Sequence, residues 1–321
     1  GETEQILRGV YPERDSSVAS LPQNGRKRRA QNDKGGGKDS MTVKVVTDSS
    51  SDIPDDLAQE LGITIVPLYV RFGEEVFRDR AELSEENFYQ RMEENSTPPI
   101  TSQPSPGDFA QVYQELSQET DEIVSIHISS KVSGTCNSAL RGKDATRRGC
   151  HIEVIDSSSV SMGLGLITMA AAKAAQMGEN MQRVMQTVRQ SIPHTHIFGL
   201  FDTLKYLARG GRIGKAKGLL GAVLNVKPLL TMRDGEICPM GLARTRSRGL
   251  ERLLDLAKGL LNIQDLAIVY STTPDEAKSF TQRLISLVNR KDIHIARLGP
   301  ALGTHGGPGT LLLALRQAGE E

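Results

Sequence analysis

Thr42-Val43-Lys44-Val45-Val46-Thr47-Asp48-Ser49-Ser50-Ser51-Asp52 sets how the rest of the chain is read. An apolar run of strand length stops at a cluster of hydroxyls and carboxylates. The same pattern returns twice: Ile123 to Ile128 runs into Ser129-Ser130-Lys131-Val132-Ser133-Gly134-Thr135, and Val154-Ile155 into Asp156-Ser157-Ser158-Ser159. A fourth hydroxyl-rich segment, Thr101-Ser102-Gln103-Pro104-Ser105, lies in a proline-rich stretch. Short apolar strands alternating with helical periodicity predict an α/β fold with a parallel sheet and crossover helices. Ligands in such sheets sit where strands end and helices begin. Neutral donors at that edge favour holding a polar or anionic head group over cleaving it.

Working outward, Ser51 or Asp52 is expected to cap a helix starting at Pro54. Ile63 to Val70 predicts a second strand. Thr97 to Pro106, with four prolines, predicts a stiff loop. Helices are expected from Gly107, over Ser133 to Arg148, over Leu166 to Met177 and over Asn180 to Gln190. Arg233-Asp234-Gly235 between two apolar runs predicts a hairpin. Leu266 to Tyr270 and Ile293 to Leu298 predict strands flanking a helix at Pro274 to Asn289. Thr304 to Thr310 reads as a glycine-rich turn feeding a last helix. The division expected is an extension at 1–40, an N-terminal α/β lobe at 41–165 and a smaller α/β C-terminal lobe at 166–321, with a ligand between the lobes.

Composition narrows the function classes. Lys+Arg and Asp+Glu are both 39 of 321 residues, so no global charge favours nucleic acid or an anionic membrane. Aromatics are 4% and Trp is absent, which leaves few rings for stacking bases and makes any apolar pocket mainly aliphatic. Three widely spaced cysteines suggest a reducing compartment, and no Cys/His spacing points to a metal. No run of about 18 apolar residues predicts a membrane span. Residues 1–40 are poor in aliphatics and read as disordered; their Arg26-Lys27-Arg28-Arg29 run also has the form of a nucleic-acid or targeting signal.

Several residues stand out without settling their own roles. Helix capping accounts for Thr47 to Asp52 as well as a place beside a ligand does. No G-x-S-x-G elbow occurs, and Gly210 to Ala216 lacks P-loop spacing. Arg209-Gly210-Gly211-Arg212 suits phosphate or an acidic protein face, and equally a solvated basic patch. His305, set among glycines, is open to a ligand role or a structural one.

Taken together, Thr47-Asp-Ser-Ser-Ser-Asp, Thr101-Ser-Gln-Pro-Ser, Ser133-Gly-Thr, Asp156-Ser, Leu207-Ala-Arg-Gly-Gly-Arg-Ile and His305-Gly-Gly-Pro-Gly resemble the DegV family of bacterial fatty-acid-binding proteins, over about Thr42 to Ala318. The resemblance implies one long-chain fatty acid buried between two lobes. It implies that Thr101, Ser133 and His305 hold the carboxylate, and that a separate fatty acid kinase phosphorylates it after docking at Arg209 and Arg212. It further implies a cytoplasmic, monomeric, non-catalytic carrier with no cofactor or metal. Gly306 stands where other members vary, and residues 1–40 have no family counterpart. Leu219 to Val226 and Met162 to Met169 are candidate tunnel linings, or simply core. Two rival readings are a phosphate-handling α/β enzyme using Asp48, Ser133 and His305, and a regulatory protein acting through the basic patch.

Overall fold

A computed structural model of the protein describes residues 43–95, 97–146, 149–221, 226–290 and 292–319. The expectations for residues 1–40, for Thr42 and for Arg148 fall outside the described residues. The first half runs β1 (Lys44–Asp48), α1 (Asp55–Glu60), β2 (Ile63–Val66), β3 (Tyr69–Phe72), β4 (Glu75–Arg78), α2 (Glu85–Glu94), β5 (Ile100–Ser102), α3 (Pro106–Leu116), β6 (Glu122–His127), α4 (Thr135–Asp144) and β7 (His151–Asp156). The second half runs α5 (Ser161–Gln176), α6 (Met181–Ser191), β8 (Thr195–Leu200), α7 (Lys205–Arg209), β9 (Lys227–Arg233), β10 (Glu236–Ala243), α8 (Arg246–Lys258), β11 (Ile263–Tyr270), α9 (Pro274–Val288), β12 (Ile293–Arg297), α10 (Pro300–Gly306) and β13 (Leu311–Gln317).

The three strands that end in hydroxyl-rich turns lie in one parallel sheet, in the order β2-β1-β6-β7. The apolar runs of the central strands β1 and β6 fit burial on both faces, while the edge strand β7 is less buried. A six-stranded sheet, in the order β10-β9-β8-β13-β11-β12, forms the second half and is antiparallel except for β11 with β12. A small antiparallel sheet, β4-β3-β5, completes the architecture.

Helix α5 joins the two halves. It packs against β1 and β6 on one side and against β8, β11 and β13 on the other, and thirteen of its 16 residues are buried. Its small residues permit this. A Cβ on Gly165 would come within 2.8 Å of the Ser51 carbonyl. The division expected between residues 165 and 166 therefore falls inside a helix shared by both sheets.

Four local expectations are corrected. The chain after Gly307 enters a strand, β13, which is the third from one edge and the fourth from the other of the large sheet. Leu311 to Leu315 is a short apolar run, and its register with Leu200 and Tyr270 selects the extended form. Residues 100–102 form β5, paired with β3 through Val70 and Thr101, inside the stretch read as a loop. Helix α5 starts at Ser161, ahead of two glycines that lower its helical signal. Asp52 does not cap α1: Pro54 precedes that helix with no side-chain cap, and Asp48 instead caps the 3-10 turn Ser49–Ser51. The Asp234-Gly235 hairpin forms as expected, with φ of 50° and 78°.

Candidate functional site

A cavity of about 280 Å³ lies where the three sheets meet. Ile128 and Val132 from the turn after β6 line it, with Val160 ahead of α5 and Phe201 after β8. Leu207 of α7, Ile237 of β10, Leu302 of α10 and Leu312 of β13 add to the apolar wall. The polar lining is Thr101, Ser102, Gln103, Ser133, Arg212, His305 and Thr310. Thr101, Ser133 and His305, expected to act together, are thus brought to one cavity from three separate elements. Asp48 is not. It accepts hydrogen bonds from the Ile128 N–H at 3.1 Å and sits 2.9 Å from His127 Nδ1, with both side chains fully buried. The proposed catalytic trio of Asp48, Ser133 and His305 is therefore not assembled.

His305 is the penultimate residue of α10, so a helix end carries it, not a loop. Its Nε2 lies 2.9 Å from Thr101 Oγ1. Its Nδ1 is buried and has no hydrogen-bond partner among the described residues. Burial first, then the charges of Arg212 and Arg209, push the imidazole down to about 4, so the ring is neutral at physiological pH. A neutral ring carries one N–H. Placing it on Nε2 gives it the Thr101 oxygen and leaves on Nδ1 only a lone pair, which costs less than an orphaned donor. Thr101 then has its own O–H free to donate into the cavity.

Ser133 precedes α4 and shares a hydrogen bond with Thr135 Oγ1 at 2.8 Å. Gln103, which sequence reading passed over, reaches Ser138 Oγ at 3.3 Å. A Cβ on Gly134 would collide with the Gln103 side chain, so the glycine of the Ser-Gly-Thr turn is what admits it. Gly210 plays the same part for the histidine: a Cβ there would collide with the His305 ring. Arg212 lines the cavity and is also exposed at the surface. Its Nη1 donates to the Gly210 carbonyl at 2.7 Å and its Nε to the Val132 carbonyl at 3.3 Å. Arg209 lies outside the lining, its guanidinium over the Tyr206 ring at 5.3 Å.

A second polar group was missed in the sequence. Tyr113, Ser125, His127 and Asp48 form a hydrogen-bonded chain with links of 2.8, 2.7 and 2.9 Å. It contains a serine, a histidine and an aspartate in series, but Ser125, His127 and Asp48 are all 0% exposed, so no substrate reaches them. Ser125 and His127 are two apart on β6 and share a face, which is the signal that was available. Asp156 likewise serves its own turns, accepting from Ser130 and Ser158. Met162 to Met169 is core, and 222–225 of the other candidate lining lie outside the described residues. Among the described residues no His, Cys, Asp and Glu cluster could hold a metal ion, and no helix is long and apolar enough to cross a membrane.

Comparison with known proteins identifies the family and the fold. A family model described as an uncharacterised protein of the DegV family matches residues 42–317. A DegV domain-containing protein of Deinococcus radiodurans is 33% identical over 278 residues, covering 86% of this chain and 98% of that one. A fatty-acid-binding DegV family protein of Thermus thermophilus superposes with a TM-score of 0.80 at 33% identity, covering 87% of this chain and all of that one. DegV of Bacillus subtilis, described as a fatty acid binding protein, gives 0.79 at 28%, covering 86% and 100%. A stearic acid-binding protein of Eubacterium ventriosum gives 0.80 at 28%, covering 86% and 98%.

Proposed function

The chain belongs to the DegV family, and from that membership we propose that it binds one long-chain fatty acid in the cavity and presents the carboxylate to a partner fatty acid kinase. In this reading the protein is a monomeric cytoplasmic carrier in two lobes, and the phosphoryl transfer is the kinase's. Thr101, Ser133 and His305 hold the head group, and Arg209 and Arg212 face the kinase.

The observation that carries the reading is the bonded pair of Thr101 and His305 at the polar part of a cavity whose apolar wall is mainly aliphatic. Burying a sixteen-carbon tail removes about fifteen methylenes from water at about 0.8 kcal/mol each, on the order of 12 kcal/mol before the costs of binding. The tail supplies affinity and the head group needs only orientation. Two hydroxyls provide that while leaving the carboxylate accessible, and the neutral imidazole orients one of them by donating from Nε2 to Thr101 Oγ1. Two of the five N–H donors of Arg212 are engaged by backbone carbonyls.

The test is mass spectrometry of protein purified from a bacterial host, followed by titration with palmitate. A stoichiometric co-purifying fatty acid and saturable binding are expected. Absence of both would overturn the reading. Incubation with a fatty acid kinase and ATP should yield acyl phosphate only when both proteins are present.

A further inference from the structure

The turn after β1 is not used by the cavity, yet it reaches the helix that carries His305. Asp52 Oδ1 accepts the Gly299 N–H at 3.0 Å, 247 residues away in the chain, and Oδ2 accepts the Ser161 hydroxyl at 2.5 Å. Asp79 repeats the arrangement one step along. Its Oδ1 accepts the Ala301 N–H at 3.1 Å and its Oδ2 the Ser49 hydroxyl at 2.6 Å. Ser49 in turn accepts the Leu68 N–H at 2.9 Å. Both aspartates are 2% exposed. Gly299 is the residue before α10, Pro300 has no N–H, and Ala301 follows. The first two N–H groups available at that helix end are thus bound by carboxylates from the other half of the chain, and no side chain near Gly299 in sequence caps it.

Helix α10 has seven residues, about 10 Å at 1.5 Å per residue, so fixing one end fixes the other. Ala301, Leu302, His305 and Gly306 all line the cavity. We propose that Asp52 and Asp79 are positioning residues of the ligand site, a two-carboxylate clamp on the start of α10 that sets where His305 meets Thr101. Burial raises Asp52 to about 7 and Asp79 to about 6, against lowering by their hydrogen bonds and by Arg80. An ordinary serine or threonine cap would satisfy a helix end without that desolvation. Two buried acids make sense where the helix must be held at one height against the turn after β1 and the small sheet. Gly299 permits the close approach, since a Cβ there would stand 3.0 Å from Asp52 Oδ1.

The binding arm of the test rests on the fatty-acid reading; the spectroscopic arm does not. Asp52→Ala should weaken palmitate binding roughly tenfold or more, as for a buried donor left unpaired. Asp52→Asn, whose amide oxygen still accepts the Gly299 N–H, should restore most of it. In a His305→Gln background the Asp52→Ala effect should shrink to below about twofold, because residues acting through one another are non-additive. The ¹⁵N resonances of the His305 ring in the ligand-free chain should shift in Asp52→Ala and return in Asp52→Asn. Asp79→Ala and Asp79→Asn carry the same cycle independently, should one substitution prevent folding. Additive losses, or an unmoved His305 ring in folded alanine variants, overturn the clamp. If the wild-type chain binds no palmitate, the fatty-acid reading fails, while the ring resonances still decide the clamp.

Discussion

His305 and Thr101 meet across 204 residues of chain, the imidazole Nε2 lying 2.9 Å from the threonine hydroxyl. One partner sits on a three-residue strand and the other at the end of a seven-residue helix. Both elements are short and take their positions from what packs around them. The pair is as well placed as the packing around it, so the sharpest predictions concern its surroundings as much as its atoms.

Thr101→Val keeps the β-branched shape and removes the hydroxyl, leaving the His305 N–H without its acceptor. The expected cost to palmitate affinity is about 1–3 kcal/mol, and Ser133→Ala should fall in the same range. Isothermal titration measures both. Unchanged affinity in the two variants would remove them from the head-group site.

Gly210→Ala tests space and not backbone strain, since Gly210 has an ordinary φ of −74°. The new Cβ would collide with the His305 ring at Nδ1 and must displace it. A loss of about 1–3 kcal/mol in stability is expected from overpacking, with weaker palmitate binding alongside. Thermal unfolding and titration of the same preparation separate the two effects.

Stability should depend on pH with two opposed contributions. Asp52 and Asp79 are raised in the folded state, to about 7 and about 6. The folded chain holds those protons more tightly than the unfolded one. Their contribution is fully present below about 4 and is lost as pH rises through 6 and 7, by an amount on the order of a few kcal/mol in total. His305, lowered to about 4, acts the other way: its contribution is present above about 6.5 and is lost as pH falls toward 4. Denaturant unfolding across pH 4 to 8 should show Asp52→Asn flattening the decline toward neutral pH. His305→Gln should remove the loss on the acid side. A curve unchanged by Asp52→Asn would mean that this carboxyl is not the titrating group.

The two arginines should separate. Arg209 lies outside the cavity lining and Arg212 within it. Arg209→Glu is expected to leave palmitate affinity within about twofold, in line with the small effects of surface substitutions, while cutting acyl-phosphate production by the kinase. Arg212→Glu is expected to lower both, because its guanidinium also ties the Gly210 and Val132 carbonyls together. A kinase assay paired with titration reads the difference; full turnover with Arg209→Glu would remove that residue from the docking face.

Much of this was legible in the residues, and the parts that were not share a cause. Strands β1, β6 and β7 announce themselves because in each an apolar stretch stops at a polar turn. Leu311 to Leu315 is as apolar, but a run of that length fits a helix or a buried strand equally, and only its partners Leu200 and Tyr270 choose. Strand β5 hides between prolines because three residues carry no periodicity. Thr101, Ser133 and His305 were found through a resemblance; no local pattern joins them. The contact of Asp52 with Gly299 and the Asp48–His127 pair are long-range, and nothing near Asp52 or Asp48 in the chain signals either one.

Helix α5 has a consequence for how the molecule comes apart. With thirteen of 16 residues buried and both sheets resting on it, separating the halves would strip a core helix of its contacts on two sides at once. Neither half can melt while the other stands, so the chain should unfold in one cooperative transition. A lipid enclosed at the junction would be felt by the whole molecule as a single upward shift of that transition, and a chain severed near residue 165 should regain its order only when both fragments are present together.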